Sequence, residues 1–354
     1  MCYYVETHHY TMPLIGFLHS VVEGKNLSMD EAKQCMSAML EGAASPVQIA
    51  AFLGALRMKG ETSDELAGFA LAMREAAGIA QADAGAEPLL DTCGTGGDGL
   101  STFNISTIAA FVAAGAGVRV AKHGNRSISG RCGSADVLEL LDIPISLSTH
   151  DALRAVRDVG IGFLFAPAFH PAMRHVQPVR RELKMRTVFN YLGPLTNPAG
   201  ATAQLVGAFS DQAAELMAGA LAKLGLRRGF VVHGSDGLDE ITTTGPTTVF
   251  AVQDGSIERQ VYLPEDFGVP RARPEDLTGG EPERNCEIAR DIFAGTQGPA
   301  RDIVLVNAAI GLVAAGAAQE LGEAMHKCRE SIDSGAAGGK VQELARFAKD
   351  AAEL

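Results

Sequence analysis

The stretch Asp91-Thr92-Cys93-Gly94-Thr95-Gly96-Gly97-Asp98-Gly99, running on through Thr102-Phe103-Asn104-Ile105-Ser106-Thr107, decides how this chain is read. An apolar pair, Leu89 and Leu90, reads as the strand before it, and the Ala-rich run 105–114 as the helix after it. Strand, glycine loop and helix together aim backbone N–H groups and the positive end of a helix at an anion. The four glycines within 94–99 suit a backbone that approaches a ligand closely or takes positive φ. No Gly-Lys-Ser/Thr follows, so the loop is not a P-loop, and we do not read it as a dinucleotide fingerprint. An ordinary glycine-rich turn would look the same in isolation, so the rest of the chain has to decide.

Upstream, residues 13–77 keep a helical period. Ser28-x-x-Glu31, Ser45-x-x-Gln48 and Thr62-x-x-Glu65 are capping boxes, the second with Pro46 at the first helical position. Gly42 and Gly60 stand where two of these helices would stop. This unit carries no chemistry, and its apolar faces suit either a core or a contact between copies. Downstream of the loop, strands and helices alternate. Strands are expected at 118–121, 162–166, 204–208 and 229–233, with an edge segment at Ile143-Pro144-Ile145. Helices are expected at 133–141, 151–159 (capped by Ser148), 211–224 and 303–315, and a hairpin around Asp254-Gly255. That order implies an α/β fold with a mainly parallel sheet covered on both faces. The segment 167–199 breaks the rhythm and is expected to return to the helical unit.

Composition narrows the function. With 47% hydrophobic residues the chain can bury a large core, and a net charge of -12 argues against a nucleic-acid surface or an anionic membrane. The six cysteines form no CxxC pair, which suits free thiols in a reducing cytoplasm. We expect neither a secretory signal nor a transmembrane helix, since no apolar run reaches about 18 residues.

Three further stretches could carry chemistry. Lys122-His123-Gly124-Asn125-Arg126-Ser127-Ile128-Ser129-Gly130 packs two full cations and several donors behind a strand, a density suited to a pyrophosphate. Gly234-Ser235-Asp236-Gly237-Leu238-Asp239-Glu240 puts adjacent carboxylates on a turn at a strand's end, where a hard divalent ion with phosphate ligands could bind. Val179-Arg180-Arg181-Glu182-Leu183, followed by Arg186-Thr187-Val188-Phe189-Asn190-Tyr191-Leu192-Gly193-Pro194-Leu195-Thr196-Asn197-Pro198, offers a guanidinium for a carboxylate. At most one of Arg180 and Arg181 should face a pocket. No Ser-His-Asp pattern is present, and Cys93 reads as a small packing residue.

Taken together and in this order, GTGGDG with FNIST, KHGNR with GSADVLE, VRRE with RTVFNYLGPLTNP, and GLDE resemble the anthranilate phosphoribosyltransferase family from about residue 14 to the C-terminal helices. The resemblance implies a small helical domain and a larger α/β domain of the nucleoside phosphorylase/phosphoribosyltransferase-like kind, with the active site in the cleft between them. It divides the chain into an N-terminal extension (1–12), a helical domain (13–78 plus about 168–198) that joins a homodimer, and an α/β substrate domain (79–167 and 199–354).

The resemblance further implies a magnesium-dependent pentosyl transfer from 5-phosphoribosyl 1-diphosphate (PRPP) to anthranilate, in tryptophan synthesis. By that match Gly94, Gly97, Asp98, Thr102, Asn104, Ile105, Ser106 and Thr107 line the diphosphate and ribose. Lys122, His123, Gly124, Asn125, Arg126, Ser127, Ile128, Ser129 and Gly130, with Ser134, cover the phosphates. Ser106, Asp239 and Glu240 match the magnesium positions, and Gly94, Asn125 and Arg180 the anthranilate positions. Lys122, Asn125 and Arg180 act by positioning and electrostatics, and no residue is assigned a proton transfer. Gly130 and Cys132 stand where the family commonly has serine, and Lys184 where it commonly has glycine.

Three other readings compete with this one. A pyrimidine nucleoside phosphorylase would lack the GLDE pair and KHGNR as written. A non-catalytic paralogue that binds nucleic acid would show a basic groove and eroded motifs. Transfer to another aromatic amine acid is compatible with the same residues.

Overall fold

The structure is a computed structural model that describes residues 13–78, 88–97, 99–127 and 131–352. The N-terminal extension, Asp98 and the segment Ile128, Ser129 and Gly130 lie outside the described residues. The first four helices are Pro13–Val22, Met29–Leu40, Pro46–Lys59 and Ser63–Ala76. The capping boxes of Ser28, Ser45 and Thr62 form as read. In each the hydroxyl satisfies an orphan N–H of the first turn while the Glu or Gln reaches back.

Seven strands make one sheet: β1 Leu89–Gly94, β2 Arg119–Gly124, β3 Ile161–Phe165, β4 Ala203–Gly207, β5 Arg228–Gly234, β6 Thr247–Gln253 and β7 Ser256–Tyr262. Their order is β3-β2-β1-β4-β5-β6-β7, parallel from β3 to β5 and closed by the antiparallel β6–β7 hairpin. The hairpin turn has positive φ at both central residues, Asp254 (47°) and Gly255 (84°), the twist that matches paired strands. One face of the sheet is covered by helices Ile105–Gly115 and Pro299–Ala314 within a core that includes Ile108, Phe111, Val306 and Ile310. The other face packs Asp211–Lys223 and the helical unit into a second core that joins Phe52, Phe69 and Met217 to Val206 and Val231. Val176, Val179 and Phe189, from the segment after β3, lie in that second core too.

Two expectations are corrected. Ile143-Pro144-Ile145 forms no strand. Pro144 has no N–H to give a ladder, and Ile143 and Ile145 instead fill the core beside helix Ser134–Leu140. Strands β1 and β2 also run further than read, so Asp91 to Gly94 and Lys122 to Gly124 are strand and not loop. Parallel pairing of β1 with β4 and of β2 with β3 extends them to their glycines.

Candidate active site

The chain moves outward from β1 through β2 to β3 and then returns to place β4 on the other side of β1. Ligands of open α/β sheets bind beyond the carboxyl ends of the strands at such a switch point. A cleft of about 1160 Å³ lies here. Every expected site residue that the structure describes lines it: Gly94, Gly97, Thr102, Asn104, Ile105, Ser106, Thr107, Lys122, His123, Gly124, Asn125, Arg126, Ser127, Ser134, Arg180, Asp239 and Glu240.

The acidic turn after β5 is pressed onto the ends of β1 and β4. A Cβ on Gly94 would fall 2.4 Å from Asp239 Oδ2, and one on Gly207 would fall 1.6 Å from the Asp239 carbonyl oxygen. Only glycine at both strand ends lets the turn in. There, Gly96 N–H donates to Asp239 Oδ2 at 2.7 Å and Ser106 N–H donates to Glu240 Oε1 at 3.2 Å. Desolvation by the surrounding protein raises the Asp239 carboxyl above the usual carboxylate range, against the pull of the Gly96 N–H. The positive end of helix Ile105–Gly115 therefore meets a carboxylate of the chain itself. The first-turn amides of Ile105 and Thr107 are engaged within the chain, by Phe103 O and Asn104 O. Ile105 and Thr107 have buried side chains, and Ser106 is the residue of this turn whose hydroxyl is available.

Lys122 and His123 are neighbours on β2 and so leave the sheet on opposite faces. Lys122 is 4% exposed; its Nζ donates to Thr92 O, and Ser106 Oγ lies 3.4 Å away. Burial lowers its pKa, while the charges of Asp91 and Glu240 hold it up. The His123 ring turns to the other face, with Nδ1 3.1 Å from Gly193 O and its centroid 5.3 Å from that of His170. Burial brings His123 down to about 3 and His170 to about 4, so both rings are neutral at neutral pH. Arg126 is not a free cation: its guanidinium donates to Asp136 and, twice, to Glu139. Asn104 does not cap its helix. Its amide bridges Cys132 O and the buried Asn285, tying the loop before helix Ser134–Leu140 to helix Pro282–Phe293.

On the helical wall, Arg180 lies 5.0 Å from the Phe189 ring and donates to Gln177 Oε1 at 3.3 Å. No carboxylate pairs with it among the described residues; Arg181 lines the same cleft, which corrects the expectation that at most one of the two would. Lys184 ends helix Gln177–Leu183 in the left-handed region, φ 47°, where a glycine would relax. Arg186 stacks 4.4 Å from Phe209 and donates to Gly97 O, clasping the glycine loop from the helical side.

Sequence reading gave no role to Gly207, Thr92, Asn285 or Arg186. A strand-terminal glycine at 207, matching those at 94 and 124, was the available signal for the first. Gly94, Gly96 and Gly99 do stand at G-x-G-x-x-G spacing, so spacing alone does not separate this loop from a dinucleotide site. Geometry does: Gly94 still belongs to β1, and the helix begins only at Ile105.

Comparison with known proteins agrees. The profile of the glycosyl transferase family, helical bundle domain, matches residues 16–77, and that of its a/b domain matches residues 86–338. An anthranilate phosphoribosyltransferase of Solibacter usitatus is 62% identical, over 95% of this chain and 99% of that protein. The crystal structure of the Thermus thermophilus enzyme superposes with a TM-score of 0.86 at 44% identity, covering 94% of this chain and 99% of the other. The Saccharomyces cerevisiae enzyme in complex with PRPP and Mg superposes with a TM-score of 0.87 at 26% identity, covering 97% and 99%. Cysteines 35, 93, 132, 286 and 328 are free, and no helix among the described residues is long and apolar enough to cross a membrane. With matches of this identity along nearly its whole length, the chain belongs to the anthranilate phosphoribosyltransferase family.

Proposed function

We infer that the chain transfers the 5-phosphoribosyl group of PRPP to the amino group of anthranilate, releasing diphosphate, in tryptophan biosynthesis. One observation carries this reading beyond family membership. A single cleft holds an acidic turn seated on a glycine loop and an Arg180 guanidinium with no carboxylate partner among the described residues. The C1–O bond to diphosphate breaks once the diphosphate charge is neutralised, the ribose C1 gains cationic character, and an uncharged aromatic amine attacks it. The nitrogen then sheds its extra proton to the released diphosphate or to water, so no strong base is needed. Positioning and electrostatics then suffice, which fits a site without a nucleophile.

Gly94, Gly97, Thr102 and the start of helix Ile105–Gly115 form the wall for diphosphate and ribose. Ile105 and Thr107 contribute by packing. Lys122 supplies a fixed charge from the floor, and Gly124, Asn125, Ser127 and Ser134 cover the phosphates. Gly94, Asn125 and Arg180 receive anthranilate, with Arg180 on its carboxylate. The neutral His123 ring and the paired Arg126 are assigned to shaping the site and not to charge neutralisation. Ser106, Asp239 and Glu240 offer one hydroxyl and two carboxylates, hard oxygen donors suited to magnesium. No group of three His, Cys, Asp or Glu that could hold a metal occurs among the described residues, so phosphate oxygens and water would have to complete the shell. Bound there, magnesium would supply charge neutralisation to the leaving diphosphate.

The helical unit, residues 13–78 with about 168–198, is assigned the contact between two copies. Val22, Val47 and Met58 support this, being 67, 78 and 87% exposed on its helices. We place the protein in the cytoplasm, without nucleic-acid partners. The test is loss of anthranilate fluorescence on mixing with PRPP. Loss that requires both PRPP and magnesium is expected; PRPP binding without turnover would point to another amine acid, and no PRPP binding would end the reading.

A further inference from the structure

We propose that Asn307 is a positioning residue for the acidic turn, fixing the main chain beside Asp239 and Glu240 so that both carboxylates stand ready for a divalent cation. The proposal rests on the cation-binding reading of that pair. Asn307 lies midway along helix Pro299–Ala314 and is fully buried. Its Oδ1 accepts from the Ile241 N–H at 2.9 Å, and its Nδ2 donates to the Ile241 carbonyl at 2.9 Å. The second Nδ2 proton goes to Ile303 O at 2.8 Å, one turn back on its own helix. No other hydrogen bond reaches the Ile241 main chain among the described residues.

A helix that needed only to pack would carry an apolar side chain here, as it does at Ala308, Ala309 and Ile310. A buried amide is favourable only while its partners stay in place, because an orphaned donor or acceptor is costly in the core. Asn307 therefore holds the chain immediately after Glu240 at one position relative to the core helix. That helix packs on β1, β4 and helix Ile105–Gly115, which carries Ser106. The same scaffold thus holds Ser106 and the turn. Before the pair, Asp236 Oδ1 accepts from Leu238 N–H at 3.2 Å, and its Oδ2 takes the hydroxyls of Thr242 and Thr244. The turn is fastened on both sides, leaving residues 239 and 240 presented to the cleft. Partners one shell out from a metal commonly govern affinity by about 10–100-fold.

The test uses Asn307→Leu, which fills the space without hydrogen bonding, and Asn307→Asp, which keeps the shape and one acceptor. Two readouts are followed: hydrogen exchange of the free protein over 236–243, and Mn2+ binding in the presence of PRPP by electron paramagnetic resonance. Leu312→Ala, a buried site further along the same helix, is the control for general destabilisation. Asn307→Leu should speed exchange in 236–243 but not in 105–115, and weaken Mn2+ binding about tenfold or more. Asn307→Asp, which keeps the Oδ1 acceptor but turns an oxygen toward the Ile241 and Ile303 carbonyls, should move both in the same direction, and the anthranilate KM should stay unchanged. Unaltered exchange and Mn2+ binding in both variants would overturn the proposal, as would the same shifts in Leu312→Ala at equal loss of stability. Failure of the wild type to bind Mn2+ with PRPP would instead overturn the cation reading, and exchange in 236–243 would then decide whether Asn307 fixes the turn.

Discussion

The backbone N–H of Ser106 donates to Glu240 Oε1 at 3.2 Å across 134 positions of sequence. One contact joins the start of the helix behind the glycine loop to the acidic turn behind β5. It places a hydroxyl and a carboxylate, both suited to magnesium, on the same few ångströms of cleft floor. Replacing Glu240 by Ala removes an anion at a helix N-terminus and, under the proposed function, a cation ligand. Turnover at saturating PRPP should fall by about 100-fold, a loss on the order of 3 kcal/mol in barrier. The apparent magnesium requirement should rise and the anthranilate KM should not change. A Glu240→Ala enzyme with wild-type magnesium dependence would refute this.

Gly207→Ala tests the seating of the turn by sterics alone. The added methyl would fall 1.6 Å from the Asp239 carbonyl oxygen, an overlap that no rotamer relieves because both partners are backbone-fixed. The turn must lift, at about 1–3 kcal/mol in stability, and turnover should be nearly abolished. Urea unfolding and the fluorescence assay measure both effects. Full activity would mean that Asp239 need not be where it is.

Arg180→Ala should raise the anthranilate KM by 10-fold or more, the scale of a lost charge-assisted hydrogen bond of about 1.5–3 kcal/mol, while the PRPP KM stays constant. Arg180→Lys should recover only part, since an ammonium cannot grip a carboxylate with two parallel donors. An acceptor without the carboxylate, such as aniline, should be used equally poorly by the wild type and by Arg180→Ala. Equal anthranilate KM values in wild type and variant would remove Arg180 from the site.

What the sequence disclosed and what it hid follow the range of the interactions involved. The starts at Ser28, Ser45 and Thr62, and the Asp254-Gly255 turn, are local hydrogen-bond and dihedral arrangements, so their residues state them directly. The ends of β1 and β2 were hidden because pairing with β4 and β3 extends them, and Gly94 or Gly124 read locally as loop. That misplacement also hid the fate of His123. Once Lys122 and His123 are on one strand, the lysine must face Ser106 and the histidine the helical side. Gly207 and Asn307 act on residues 32 and 66 positions away, and nothing in their neighbourhoods announces the partner.

Lys184 should be replaceable by glycine with a gain in stability. Its φ of 47° places a β-carbon where L residues are strained by about 1–2 kcal/mol, partly offset by the greater freedom of unfolded glycine. A net gain of about 0.5–1 kcal/mol in urea unfolding is expected. A loss would mean that the lysine side chain contributes more at the cleft rim than its backbone costs.

The His123–His170 pair makes stability depend on pH with a definite sign. An unfolded histidine titrates near 6.5, whereas these two, disfavoured as cations by burial, titrate at about 3 and about 4. Between those limits the unfolded state binds more protons, so stability is complete above about pH 7 and declines as pH falls through 6.5. Each ring contributes up to about 1.4 kcal/mol per pH unit. His170 does so down to about 4 and His123 down to about 3. Asp91 and Asp239, raised by desolvation, act in the opposite sense. Urea unfolding between pH 7.5 and 5.0, compared between wild type and single His variants, separates the histidines' share from that of the carboxyls. The wild type should lose stability across that interval, and His123→Gln and His170→Gln should each remove about half of the slope. A slope left unchanged in both variants would show that neither ring is held neutral by folding.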